Sequence, residues 1–67
     1  MNGTLQDIMS TIAVDGVPKC DVYTASAALD RARDEHAANS DARVTIYQWN
    51  NRMYTYNPYT DAVDPVY

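Results

Sequence analysis

Cys20 and His36 are the side chains whose chemistry could support catalysis, because a thiol and an imidazole can act as nucleophile and base. Each is the only residue of its type in the chain. Neither residue lies in a known catalytic sequence motif. No motif places a serine, cysteine or carboxylate where it could work with His36. We therefore expect no enzyme, and a structural role for His36 near the carboxyl end of a helix, where basic residues interact favourably with the helix dipole.

The sequence supports a metal site or a phosphate-binding site no better than it supports catalysis. A zinc site needs three or four ligands, which one cysteine and one histidine cannot supply. Asp61 and Asp64 are too closely spaced for a calcium loop. The only glycines are Gly3 and Gly16, so there is no glycine-rich phosphate loop. The sequence predicts no metal and no cofactor.

Aromatic residues form the first candidate binding group. The chain holds six Tyr, one Trp and no Phe. Tyr and Trp often dominate binding energy, because they combine a large apolar area with a polar group. The candidate binding residues of this group are Tyr47, Trp49, Tyr54, Tyr56 and Tyr59. The alternative is that these side chains only stabilise a sheet through cross-strand pairs.

Acidic residues form the second candidate group. Asp30 and Asp34 lie one helical turn apart, so their like charges share one side of the predicted helix, with Arg31 and Arg33 nearby. Glu35 and Asp41 follow them. A row of carboxylates can imitate a row of phosphates and occupy a basic channel meant for nucleic acid. The alternative is an ordinary solvated helix face.

A single helix must position these acids. Thr24 or Ser26 can cap its start, and its body, AALDRARDEHAA, contains mostly good helix formers. One stripe of the helix faces the core, namely Ala25, Ala28, Leu29, Ala32 and His36. Asn39 can adopt the left-handed conformation that ends a helix.

A first hairpin precedes the helix. Asp15-Gly16 is a typical two-residue turn, between a strand from about 10 to 14 and a return strand from 17 to 23. Pro18 places the return strand at a sheet edge. The spacing of Leu5, Ile8, Met9 and Ile12 also fits a helix, and Thr4 with Asp7 resembles a capping box. We predict a short helical turn near residues 4–9.

A second hairpin, VTIYQW-NN-RMYTYN, must position the aromatic residues. A two-residue turn at Asn50-Asn51 pairs Trp49 with Arg52 and Tyr47 with Tyr54. The face assigned to the helix is then Val44, Ile46, Gln48, Met53 and Thr55. The opposite, aromatic face is then Thr45, Tyr47, Trp49, Arg52, Tyr54 and Tyr56. A three-residue loop would turn every side chain of the second strand to the other face and place Tyr54 and Tyr56 with Ile46.

The complete order is strand, strand, helix, strand, strand. It predicts one α+β domain over residues 1–67, with a small antiparallel sheet and one helix packed across one face. The segment 58–67 contains two prolines and turn formers, so we predict an irregular tail. Within it, Tyr59, Val63 and Tyr67 could pack back on the sheet.

Charge and length limit the possible partners. The net charge of −4 argues against a general nucleic-acid binder and against docking on an anionic membrane. An acidic surface suits a basic protein. The thin core of a chain this short leaves a homodimer possible. The lone Cys20 fits a reducing compartment, and the first residues lack the pattern of a signal peptide, so we expect a location in the cytoplasm.

The combination of an Asp-Gly hairpin, one alanine-rich helix (TASAALDRARDEHAA) and a tyrosine-rich hairpin (VTIYQWNNRMYTY) in a short acidic chain resembles the small phage-encoded anti-CRISPR proteins. The resemblance covers the whole chain in character, and these proteins share no common motif. It implies an inhibitor in the bacterial host cell that binds a CRISPR–Cas effector, such as a type I surveillance complex, and blocks DNA binding.

Two other functions remain open. One is a homodimeric structural or accessory protein that buries its aromatic sheet face. The other is a binder of single-stranded nucleic acid that stacks bases on Tyr47, Trp49, Tyr54 and Tyr56.

Overall fold

A computed structural model describes residues 5–66. Its elements in chain order are β1 (Ser10–Val14), β2 (Val17–Val22), α1 (Ala25–Ala38), β3 (Val44–Gln48), β4 (Arg52–Asn57) and β5 (Ala62–Pro65). The strands form one antiparallel sheet in the order β2-β1-β3-β4-β5. The helix packs on one face of this sheet. The predicted α+β fold is therefore confirmed, with one strand more than expected.

The first hairpin forms as predicted. Asp15 and Gly16 both have positive φ, 52° and 83°, as a primed two-residue turn requires. The Asp15 carboxylate accepts a hydrogen bond from the Arg43 backbone N–H at 3.0 Å, which ties the turn to the start of β3. β2 is an edge strand, so the expected edge position of Pro18 is confirmed, and a register shift beside Ala13 bends this edge further.

The helical turn predicted near residues 4–9 is wrong for the described part, because residues 5–9 are irregular. The Gln48 side chain bonds both the N–H and the C=O of Gln6, at 3.0 and 2.9 Å. Asp7 accepts the Ala25 N–H at 2.8 Å and so helps to cap α1. These long-range partners satisfy polar groups that a local helix would have used. Thr4 lies outside the described residues.

The helix begins as predicted and ends differently. Thr24 accepts a hydrogen bond from the Ala27 N–H at 3.1 Å, and Ala28 and Ala32 are buried against the sheet. Asn39 is extended, with φ −149°, so its predicted left-handed conformation is wrong. Its side chain accepts the Asp41 N–H while its own N–H bonds the Glu35 carbonyl, which turns the chain without a left-handed residue.

The register of the second hairpin corrects the two-residue turn. Gln48 pairs with Arg52, so the loop is the three residues Trp49 to Asn51, of which only Asn51 has a positive φ, 66°. A two-residue primed turn of type I′ would need two such residues. The three-residue alternative therefore forms, and it places Tyr54 opposite Ile46.

The tail was predicted to be irregular over 58–67, and this is wrong for Ala62–Pro65, which pairs with β4. Asp61 adopts a positive φ of 52° and reverses the chain. Val63 lies opposite Tyr56 and packs against the core, whereas Tyr59 is 96% exposed. Tyr67 lies outside the described residues.

Between sheet and helix lies a small core that includes one polar pair. Its buried members are Ile12, Ala28, Ala32, Val44, Ile46, Tyr54 and Tyr56. Gln48 and Ser10 are also buried, and the Gln48 amide donates to the Ser10 hydroxyl at 2.9 Å. No buried side-chain polar atom in the described part of the chain lacks a partner, so the polar pair is compatible with a stable core.

Candidate functional site

The face of the sheet opposite the helix, here called the open sheet face, is not covered by another helix or strand of the described residues. Side chains alternate between the two faces along a strand, and Ile12 and Ile46 point to the helix. Their strand neighbours therefore point to the open sheet face. These neighbours, with their cross-strand partners, are Thr11, Ala13, Thr45, Tyr47, Met53 and Thr55.

A groove of about 640 Å³ crosses this face. Its floor is formed by Thr45 and Thr55, which lie opposite each other on β3 and β4. Tyr47 and Met53, also opposite each other, form one side. The lining on the other side includes Asp15, Asp41 and Arg43. A row of short side chains between rows of longer ones produces this groove.

Tyr47 and Trp49 are exposed on this side of the molecule, as the sequence predicts. Their exposed fractions are 41% and 68%. The Trp49 indole N–H donates to the Thr11 hydroxyl at 3.5 Å, and its backbone N–H donates to the Met9 carbonyl at 3.1 Å. Trp49 therefore sits beside the open sheet face although it belongs to a loop.

Tyr54 and Tyr56 lie elsewhere, so their predicted place on an open aromatic face is wrong. They are only 5% and 8% exposed and face the helix, because the three-residue loop reverses the parity of β4. The Tyr56 ring lies 5.8 Å from the His36 ring, tilted by 56°. Both tyrosines are core residues, and Tyr59 in the turn between β4 and β5 stands apart from them in solvent.

The acids of the helix are largely neutralised by neighbouring arginines. Arg33 contacts Asp30 at 3.0 Å and Arg31 contacts Glu35 at 2.7 Å. The Asp34 carboxylate makes no ion pair or hydrogen bond within residues 5–66. The predicted row of like charges is therefore a set of local acid–base pairs with one remaining carboxylate.

Asp41 does not belong with the helix acids. It lies in the loop between α1 and β3 and lines the groove of the open sheet face. Its carboxylate has no ion pair in the described part of the chain. Its predicted place among the helix acids is therefore wrong, although the residue is exposed.

Further carboxylates surround the open sheet face, and the sequence analysis missed them. Asp21 lies opposite Thr11 on β2, and Asp64 lies opposite Thr55 on β5. Like Asp15 and Asp41, these two acids make no ion pair within residues 5–66. Alternation along the predicted return strand could have assigned Asp21 to this face. Its neutral partner Thr11, and the strand that contains Asp64, follow only from the register.

A separate charged cluster joins the helix to the turn after β4. Arg33 makes two hydrogen bonds to the Asp61 carboxylate, both at 2.9 Å, and the Tyr56 hydroxyl donates to the same carboxylate at 2.7 Å. The Arg33 bonds, followed by the Tyr56 bond, lower the pKa of Asp61. The bond to Asp61 raises the pKa of Tyr56. The geometry indicates a structural clamp.

Cys20 and His36, which the sequence does not assign to a catalytic or metal site, belong to no cluster of metal ligands among the described residues. Within residues 5–66, no group of three or more His, Cys, Asp and Glu residues could hold a metal ion. Cys20 packs against the core from the edge strand. No helix in that range is long and apolar enough to cross a membrane.

Comparisons with protein-family models, with curated proteins and with solved structures find no match to this chain. Inference about its function therefore rests on the residues and contacts described above.

Proposed function

We propose that the chain is a small acidic inhibitor that binds a basic protein surface through its open sheet face and so blocks nucleic-acid binding by that protein. The observation that carries this proposal is that exposed Tyr47 and Trp49 lie on or beside a face whose carboxylates make no ion pair within residues 5–66. The resemblance to anti-CRISPR proteins makes the DNA-binding surface of a CRISPR–Cas effector the first partner to test.

The two kinds of residue would contribute differently to binding. Partly exposed Tyr and Trp side chains supply buried area and most of the affinity at protein interfaces. Carboxylates steer a basic partner into place and set its orientation, more than they add affinity. Such steering weakens at high salt, because the Debye length shortens to about 3 Å at 1 M salt. The proposed interaction is therefore sensitive to salt.

The helix acids are weaker candidates than the sheet acids. A partner's lysine or arginine would have to displace Arg31 from Glu35, or Arg33 from Asp30. At Asp21, Asp41 and Asp64 no such displacement is needed. We therefore place the interface on the open sheet face.

Binding by strand addition has less support than binding by the face. The edge strand β2 contains Pro18 and a register shift, and the opposite edge strand β5 has only four residues and ends at Pro65. Proline lacks the N–H that pairs with an added strand, and irregular or short edges discourage pairing. Both features favour contact through the face.

The two other functions lose support from the same observations. Two open sheet faces brought together in a homodimer would oppose like charges, which disfavours association. For single-stranded nucleic acid, two of the four expected stacking residues, Tyr54 and Tyr56, are buried, and phosphates would meet carboxylates. A basic protein partner fits the surface better.

A DNA-binding assay with a purified type I surveillance complex tests the proposal. Adding the protein is expected to reduce the complex's affinity for target DNA. The triple variant Asp21→Asn, Asp41→Asn, Asp64→Asn is expected to lose at least about tenfold in potency, since each replaces a charge but keeps a hydrogen-bond acceptor. The matched control is Asp30→Asn, Asp34→Asn, Glu35→Gln on the helix, which should retain potency.

Failure of the protein to reduce DNA binding would remove the CRISPR–Cas partner. Equal losses in the two triple variants would remove the open sheet face as the interface. Capture of bound proteins from a bacterial lysate at low and high salt then separates the remaining outcomes. Recovery of a different basic protein at low salt keeps the inhibitor class, and recovery of only the protein itself favours the homodimer.

A further inference from the structure

Three side chains from three different parts of the chain meet at one corner of the open sheet face. They are Asp21 on β2, Thr11 on β1 and Trp49 in the loop after β3, and we call them the corner cluster. The Thr11 hydroxyl donates to the Asp21 carboxylate at 2.7 Å and accepts the Trp49 indole N–H at 3.5 Å. One hydroxyl thus links an indole and a carboxylate.

Trp49 is held in place but left uncovered. Its backbone is bonded to Met9 and its indole N–H is directed to Thr11, yet 68% of the residue remains exposed. A tryptophan that served only to stabilise the sheet would be expected to bury most of its large area. An exposed indole whose N–H already contacts Thr11 has fewer orientations to lose when a ligand stacks on it.

The charge of the cluster selects the class of ligand. Asp21 accepts one hydrogen bond through Oδ1 and makes no ion pair in the described part of the chain. An anionic ligand would be repelled, and a purely apolar one would leave this carboxylate desolvated and unpaired. A cation placed beside the indole gains from both the carboxylate and the aromatic ring.

A guanidinium fits these two groups better than an ammonium. It is planar and weakly hydrated, so it can stack on an aromatic ring while its N–H groups bond a carboxylate. The lysine ammonium is compact and strongly hydrated and lacks this planar geometry. Tyr47, directly opposite Thr11 on β3, continues the exposed aromatic surface into the groove and offers a path for the partner's chain.

We infer that the corner cluster binds an arginine side chain of the partner, stacked on Trp49 and paired with Asp21. The inference rests on the proposed function, in which the partner is a basic protein, and it specifies which residue of that partner is recognised.

Fluorescence titration tests the inference directly, since Trp49 is the only tryptophan. The probes are two peptides of alternating glycine with either arginine or lysine, equal in length and charge. At low salt the arginine peptide is expected to change Trp49 fluorescence saturably and to bind about tenfold more tightly than the lysine peptide, as an added stacked ion pair predicts. Asp21→Asn should reduce this preference to about twofold or less.

Asp34→Asn on the helix is the matched control and should keep the full preference for arginine. Equal binding of the two peptides, or an unchanged preference in Asp21→Asn, would overturn the arginine site. Binding of neither peptide would overturn it as well. The proposed function would still hold after any of these outcomes if the parent protein blocks DNA binding and the Asp21, Asp41 and Asp64 triple variant does not. An arginine preference in a protein that does not block DNA binding would support the arginine site and contradict the proposed function.

Discussion

The helix side and the open sheet side of this protein both carry acids, but they differ in what surrounds each carboxylate. On the helix, Arg33 follows Asp30 by three residues and Glu35 follows Arg31 by four, spacings that bring side chains together on one face. On the sheet, Asp21 and Asp64 face Thr11 and Thr55 across the strands. Acids therefore remain available for a partner where their nearest neighbours are neutral.

The tyrosines show the same contrast. Tyr47 on β3 faces solvent, whereas Tyr54 on β4 faces the helix. Identical side chains a few residues apart thus serve different purposes, one as exposed contact area and one as core. The difference depends only on strand parity, which the hairpin loop sets.

The largest expected effect tests this contrast between the buried Tyr54 and the exposed Tyr47. Tyr54→Ala should lower the free energy of unfolding by about 3 to 5 kcal/mol, as removal of a buried aromatic ring does. Tyr47→Ala should cost about 1 kcal/mol or less, since the ring is already half in water. Urea unfolding followed by circular dichroism measures both. Equal losses in the two variants would contradict the three-residue loop.

A second prediction sharpens the role of the open sheet face in binding. Trp49→Leu should weaken partner binding by about 2 kcal/mol, roughly 30-fold in Kd, as loss of a central aromatic contact does. Its stability should change by no more than about 0.5 kcal/mol. Tyr59→Leu is the control, because Tyr59 is exposed in the turn between β4 and β5, at the opposite end of β4 from the loop that holds Trp49. A larger loss in the Tyr59 variant than in the Trp49 variant would move the interface to that turn.

A third prediction concerns the clamp on the helix side and its dependence on pH. The hydrogen bonds from Arg33 and Tyr56 lower the pKa of Asp61 below its ordinary value of 3.8. The ionised carboxylate is thus favoured in the folded state, so its contribution to stability is present above about pH 4 and is lost as the pH falls through the lowered pKa.

Melting temperatures measured from pH 7 to pH 2 check this prediction. Asp61→Asn should be less stable than the parent at pH 7, and the difference should shrink as the acid limb is reached. Asp34→Asn, whose carboxylate makes no contact in the described chain, should follow the parent curve. A constant difference between the parent and Asp61→Asn across this range would show that the Asp61 charge does not act as a clamp.

The smallest expected effect tests the helix acids directly. Arg31→Gln removes the ion pair with Glu35 and should lower the free energy of unfolding by about 0.3 to 0.5 kcal/mol, an effect that salt reduces. The variant also releases the Glu35 carboxylate. Partner binding should not change, because the proposed interface lies on the other side of the sheet. Stronger binding, measured by calorimetry, would indicate that the helix side takes part.

Sequence patterns spanning a few residues determined much of this fold. Asp15-Gly16 specified the first hairpin, Thr24 marked the start of the helix, and Pro18 identified an edge strand. The spacing of alanines by three or four residues along the helix predicted its buried stripe. Each of these features depends on groups that lie close together in the chain, so the local sequence contains the necessary information.

The candidate site was only partly accessible from sequence. Tyr47 and Trp49 were correctly expected to be exposed, whereas Asp41 was grouped with the helix acids and lies instead in the lining of the groove. Tyr54 and Tyr56 were misplaced because one residue of loop length reverses every side chain of β4. Asp21 and Asp64 were overlooked because their partners across the sheet, Thr11 and Thr55, become visible only with the register.

Tertiary structure alone decided the remaining features, and each involves contacts between distant residues. Gln48 holds Gln6 across a sequence separation of 42 residues, and Arg33 holds Asp61 across 28. These contacts keep residues 5–9 out of a helix and stabilise the turn that leads into β5. At Gln6 the small local propensity is outweighed by hydrogen bonds that help to satisfy the buried Gln48 side chain. The Arg33–Asp61 pair is exposed, and it depends on tertiary structure because only the fold brings the two residues together.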